Sequence, residues 1–231
     1  MTTIIQPDAR LLSAVPFLKP GGRCVDVGTD HAYLPIYLVH RGICSAALAC
    51  DINQGPLQSA REHIAAAGLE GAIGTRLTDG LHGVEEFAPD DVMIFGMGGE
   101  LIVKILDEAP WVRNPGIGLI LQPMSRAAIL RQYLVSHGFA ILGEGLSRSG
   151  KIYQTVHAVY CGKNTAYNEE ELLLGRWNIE TNPPLFADFV RHERTVLEKV
   201  LQGKARSQTA DTAEEQRMLQ VLTQRLEKLE S

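Results

Sequence analysis

The 231-residue sequence predicts an α/β fold: a parallel sheet with helices on both faces, an antiparallel hairpin at its end, and a C-terminal helical hairpin. Three observations carry this. Short apolar runs alternate with helical patterns through about residue 160. The segment Val25-Asp26-Val27-Gly28-Thr29-Asp30-His31 ends an apolar run in an acid, a glycine and a polar turn, directly before a helical pattern. After about Gly162 the strand-like runs stop and apolar residues recur at helical spacing.

Arg23 to Val27 reads as a first strand and Tyr33 to Arg41 as the helix after it. Ala46 to Asp51 is a second strand, and Gln54 to Ala67 a helix ended by Gly68. Ile73 to Leu77 is a third strand. Asp91 to Phe95 is a fourth, followed by Gly96-Met97-Gly98-Gly99 and a helix to Glu108. Ile117 to Gln122 is a fifth, then a helix from Ser125 to His137 stopped by Gly138. Phe139 to Leu146 and Ile152 to Cys161 form a closing pair, with Ser147 to Gly150 as the turn. The division falls into residues 1–162 and 163–231. In the second part Leu185, Phe189, Val196, Val200 and Leu201 are helically spaced, and Leu219, Leu222, Leu226 and Leu229 form a coiled-coil-like seam. Asp211 and Glu214 fit a capping box, and Gly203 to Thr209 a turn between two antiparallel helices.

A hydrophobic share of 45% predicts a sizeable packed core. The net charge of -5 argues against a generic nucleic-acid clamp, but a local basic patch suffices for phosphate binding. Cys24, Cys44, Cys50 and Cys161 lack C-x-x-C spacing, so free thiols are expected rather than metal ligands or disulfides. No signal pattern or membrane-length apolar run is present, which predicts a cytoplasmic protein without a membrane partner.

The missing G-x-G-x-x-G disfavours a dinucleotide. S-adenosylmethionine (SAM) has no pyrophosphate and needs no such loop. Gly28 lets the backbone approach its methionine part, and Asp26 shapes the loop and helps bind the ammonium. Asp51, with Ile52 beside it, ends the second strand about twenty residues further on, where a carboxylate accepts from ribose hydroxyls. Asp79 is placed to accept from the adenine amino group, with Gly80 at the ring edge. Gly96 to Gly99 follow the fourth strand, where the resemblance given below implies the reactive methyl and, at Gly98 and Gly99, room for a flat base. The alternatives are a plain turn at Gly28 and at Asp79-Gly80, a strand-end cap at Asp51, and a simple helix start at Gly98 and Gly99.

Several segments together resemble one family: VDVGTDHAYLPIYL (25–38), GPLQSA (55–60), RLTDGL (76–81), FGMGGELI (95–102), LILQPM (119–124) and GKIYQ (150–154). They are similar to the bacterial tRNA adenine-N1 methyltransferases that act on adenine 22, over about residues 10–160. DHAYLP and GMGG are the specific features. The resemblance implies a Rossmann-like class I methyltransferase sheet, SAM as cofactor and tRNA as partner, with no metal; no oligomer is implied, and a monomer is compatible. It places Asp30, His31 and Tyr33 on the catalytic rim. There Asp30 would accept from the target amino group, His31 would bond the base or orient Asp30, and Tyr33 would stack on the extruded base. An N-cap role for Asp30 and a core-facing Tyr33 are the structural alternatives. Arg10 and Lys151 fall in matching segments as substrate contacts; Arg126, Arg131 and Arg148 are further basic residues near the mouth. The pattern departs at Asp51, where a longer acid is usual, and at Gln154, where an acid is expected. The rival functions are methylation of a small molecule or protein, a non-enzymatic binding module and, more weakly, a nicotinamide oxidoreductase.

Overall fold

The computed structural model describes residues 6–204 and 212–230. Two compact units divide between Thr165 and Ala166. Among its described residues the first holds seven strands: β1 (Arg23–Val27), β2 (Ala46–Asp51), β3 (Ile73–Leu77), β4 (Asp91–Met97), β5 (Gly118–Pro123), β6 (Phe139–Ser149) and β7 (Lys151–Tyr160). Their order across the sheet is β3-β2-β1-β4-β5-β7-β6. β1 to β5 are mutually parallel, and β7 runs antiparallel to both β5 and β6.

β1, β2, β4 and β5 are buried on both faces, which is why they read as continuous apolar runs, whereas the edge strand β3 is buried only at Ile73. Helices α1 (Ala9–Leu12), α2 (Tyr33–His40), α3 (Gln54–Ala66), α4 (Gly99–Asp107) and α5 (Ala127–Ser136) complete this unit. Leu34, Leu38 and Ile64 pack over Cys24, Ala47, Ala49 and Met93 in one buried cluster. Strand order reverses between β1 and β4, so a crevice opens at their carboxyl ends, as expected of doubly wound sheets.

Two expectations are corrected and one short helix is added. The closing hairpin is longer than its apolar pattern, since pairing continues to Ser149↔Lys151 and leaves Gly150 (φ +72°) as the turn. α5 starts after Ser125 and Arg126, because Arg126 adopts φ +56°. α1 escaped the periodicity argument because four residues hold no repeat; the Asp8 carboxylate caps it by accepting from Leu11 N at 3.0 Å.

Among the described residues the second unit has four helices, not the expected two: α6 (Glu169–Leu174), α7 (Arg176–Thr181), α8 (Phe186–Lys204) and α9 (Ala213–Glu230). Asn168 and Glu171 form a reciprocal capping box on α6. The ion pairs Arg191–Glu230 and Lys204–Glu215 make α8 and α9 antiparallel. Leu222 and Leu226 of the expected seam are buried, whereas Val196 and Val200 are 44% and 42% exposed. Asp211 of the expected capping box, and residues 205–209 of the expected turn, lie outside the described residues; Gly203 belongs to α8.

Candidate active site

The tip of β1 is built by backbone geometry. Gly28 adopts φ +73°, and a Cβ there would stand 2.5 Å from Met97 Cε. The amides of Gly28 and Thr29 both donate to Cys50 O at 2.9 Å, folding the loop onto β2. Asp26 is 6% exposed. Its Oδ2 accepts from Thr29 Oγ1 at 2.6 Å. Burial pushes the Asp26 carboxyl up to about 6, against the pull of the Thr29 hydrogen bond and the Arg10 charge.

Two further residues of this loop, His31 and Ala32, have φ +58° without being glycine. Ala32 is the residue before α2 and provides no side-chain cap. The N-cap alternative for Asp30 is therefore not realised. Its exposed carboxylate pairs instead with His31 Nε2 at 3.1 Å. Tyr33 is half-buried, its ring 5.3 Å from that of His31.

At the tips of β2 and β3, Asp51 Oδ1 accepts from Asn53 N at 2.7 Å. Asp51 Oδ2 has no bond among the described residues and remains available for a hydroxyl. Ile52 is 60% and Leu77 50% exposed, two apolar side chains left to solvent on either side of this acid. Leu77 is paired in register with Asp51. Asp79 is exposed beyond them, and Gly80 (φ +58°) would place a Cβ 3.2 Å from Ile105. A carboxylate with a spare oxygen, with bare apolar side chains at the next residue and at its register partner, suits a ribose carrying a flat ring, so these residues fit the adenosine of SAM.

The other half of the crevice is assembled from distant segments. Gly96 (φ +78°) sits where the β4–β5 register shifts, between Phe95 and Met97. Gly98 caps α4. Gly99 is buried, and a Cβ on it would lie 2.4 Å from Arg126 O. Its small size admits the β5–α5 loop, so the base-accommodating reading of Gly99 gives way to a packing role. Arg10 Nη1 lies 3.3 Å from Gln122 Oε1, while Gln122 Nε2 donates to Arg10 O (3.0 Å), Ser13 Oγ (3.2 Å) and Thr155 Oγ1 (3.2 Å). The Arg10 guanidinium and the exposed Lys151 ammonium share the Tyr153 ring, 5.6 and 5.2 Å from its centroid.

Arg131 is removed from the mouth. It is fully buried, donating from Nε to Glu144 Oε1 (2.6 Å) and from Nη2 to Gln154 Oε1 (2.7 Å). The departure at Gln154 thus concerns the interior. The sequence reading also missed Thr29, Gln122, Tyr153 and His63. Only Gln122 carried a signal, as a polar residue closing an apolar strand inside a family-like segment. Among the described residues no group of three His, Cys, Asp or Glu side chains could hold a metal ion.

A sheet of this order, with a glycine turn after β1 and an acid at the tip of β2, defines a Rossmann-like methyltransferase. The family model for tRNA (adenine(22)-N(1))-methyltransferase matches residues 24–230. A Bacillus subtilis (strain 168) protein of that name is 31% identical over 229 residues, covering 95% of this chain and 94% of its own. A Streptococcus agalactiae protein of the NADB-Rossmann superfamily superposes with TM-score 0.86 at 31% identity, over 96% of this chain and 98% of that one. A Streptococcus pneumoniae protein solved in complex with S-adenosyl-L-methionine gives TM-score 0.82 at 32% identity, over 94% and 98%. The chain belongs to the tRNA (adenine(22)-N(1))-methyltransferase family: it is an enzyme that uses SAM to methylate N1 of an adenine in tRNA.

Proposed function

We propose that the crevice divides its work between two halves, and that the target adenine is in the D-arm of a cytoplasmic tRNA. Gly28, with Asp26 and Thr29 behind it, receives the methionine part of SAM. Asp51 accepts from the ribose, Ile52 borders the adenine, and Asp79 with Gly80 reads its edge. Gly96 brings the β4 backbone close to the methyl group. Bound SAM supplies an electrophilic methyl on a sulfonium. The adenine N1 lone pair lies in the ring plane and is unprotonated at neutral pH, so attack needs no general base. What the protein supplies is alignment and exclusion of water.

The acceptor base enters between Gly98 and the Asp30–His31–Tyr33 rim, extruded from its helix. Methylation leaves a positive charge on the base and makes its amino group more acidic. The Asp30 carboxylate, exposed and held by His31, accepts from that amino group as the charge develops. Arg10 and Lys151, both seated on Tyr153, take flanking phosphates. Arg10 also stands 4.0 Å from the Cβ position of Gly96, the junction of the two halves.

The observation that carries this reading is the Asp30–His31 pair on a strained loop that begins at the cofactor glycine. Incubation of the protein with SAM and unmodified tRNA, followed by nuclease mapping and nucleoside mass spectrometry, should give 1-methyladenosine in the D-arm. Methylation confined to another arm, or to another atom of the base, refutes it.

A further inference from the structure

We propose that His63 is a positioning residue for methyl transfer, locking the left-handed His31–Ala32 turn and so fixing Asp30 and His31 at the acceptor rim. The proposal rests on the rim roles given above and adds the device that holds them. His63 lies in the last turn of α3, an element otherwise tied to the cofactor half through Asp51 and Asn53 at its start. The buried residues of α3 are Leu57, Ala60 and Ile64; His63 is not among them. Its imidazole instead reaches across to the loop before α2. His63 Nδ1 is 3.1 Å from His31 O, and because a carbonyl only accepts, Nδ1 is the donor.

The ring also closes a cluster. Its centroid is 5.6 Å from that of His31, edge-on at 66°, and 5.1 Å from that of Tyr33. Inside the cluster His31 Nδ1 is buried with no hydrogen-bond partner among the described residues, while Nε2 faces Asp30. The Asp30 carboxylate only accepts, so Nε2 is the nitrogen that donates to it. The rings therefore fix which edge of His31 meets Asp30. A pair of consecutive non-glycine residues at φ +58° persists only where the surroundings over-determine it. The His63 hydrogen bond to the first of the two anchors this turn to another element.

The test compares His63→Ala, His63→Asn and His63→Phe in the full-length protein, with kcat and KM for tRNA, SAM affinity by calorimetry and thermal melting measured on each. Asparagine can return an N–H near the Nδ1 position; phenylalanine returns the ring without the donor. The expected result is a kcat lowered about tenfold in His63→Ala and His63→Phe, with SAM affinity within about twofold of wild type. His63→Asn should recover to within about threefold of wild-type kcat. Wild-type kcat in His63→Ala or His63→Phe overturns the proposal. So does a fall in SAM affinity and melting temperature that parallels kcat and is not rescued by asparagine, because that marks a merely structural residue. Asp30→Ala, run alongside, separates the two levels: its full turnover refutes the rim assignment, whereas its loss beside an active His63→Ala refutes only the anchoring role.

Discussion

The two halves of the crevice are made in different ways. The half proposed for the cofactor uses residues close in sequence and main-chain geometry: Gly28 at φ +73°, paired amides on Cys50 O, and Asp51 bonded to the amide two residues on. The half proposed for the acceptor adds to the local Asp30–His31–Tyr33 rim side chains that meet only in three dimensions, with Arg10 and Gln122 separated by 112 positions and joined in both directions. On the proposed assignment the methyl donor meets a backbone cradle, and a base drawn out of an RNA meets polar and charged side chains fastened to buried ones. The difference teaches that affinity for SAM and turnover on tRNA should be separable by mutation.

The largest expected effect is on the cofactor half. Asp51→Ala should weaken SAM binding about 100-fold by calorimetry, since bonds from ribose hydroxyls to a carboxylate are lost. Turnover at saturating SAM should hold within about threefold; a large fall in kcat there would break the separation. Asp30→Ala is the mirror image. Its kcat should drop about thirtyfold while SAM affinity changes by less than about twofold. Equal losses in both quantities would show the loop to be one unit.

A pH titration sharpens the picture further. Burial holds the free Asp26 carboxyl at about 6. If the ammonium of SAM meets it ionised, binding expels a proton below that pH. SAM affinity should then rise up to about tenfold between about pH 5 and 7 and level off above, with the dependence abolished in Asp26→Asn. Calorimetry in buffers of different ionisation enthalpy reads the proton directly. In the free protein the same shift acts the other way on stability. The folded state binds the proton more tightly than the unfolded chain, so stability falls as pH climbs from about 4 to about 6. Asp91, also raised by burial to about 6, adds to that fall without touching SAM affinity. The smallest effect is expected of Lys151→Ala, about twofold in tRNA affinity at moderate salt. Its mark is a plot of log affinity against log salt that is shallower by about one. An unchanged slope would remove Lys151 from the interface.

How far the sequence could be read follows the same division. Asp26, Gly28, Asp51 and Asp79 lie at strand tips that apolar runs locate, and the structure puts them at or just beyond the carboxyl ends of the adjacent strands β1, β2 and β3. Gly99 shows the limit: a glycine at a helix start reads alike whether it admits a ligand or a neighbouring carbonyl, and Arg126 O decides for the second. Arg131 shows another. In sequence it is one more arginine on a helix, and only the burial of Glu144 and Gln154 with it makes it an interior ion pair. In the second unit the leucine seam located α9, while α6 and α7, at six residues each, are too short for periodicity to register.

The sequence alone determined the α/β class, the strands in order and the positions of the strand-end acids and glycine turns, because these are local features with fixed periods. The family resemblance added the reaction. The tertiary structure alone decided that Gln122 fastens Arg10, that Tyr153 carries two cations, and that His63 closes on the His31 turn. Those contacts join segments whose separation along the chain bears no relation to their distance in space, and side-chain hydrogen bonds across such gaps leave no period in the sequence to detect.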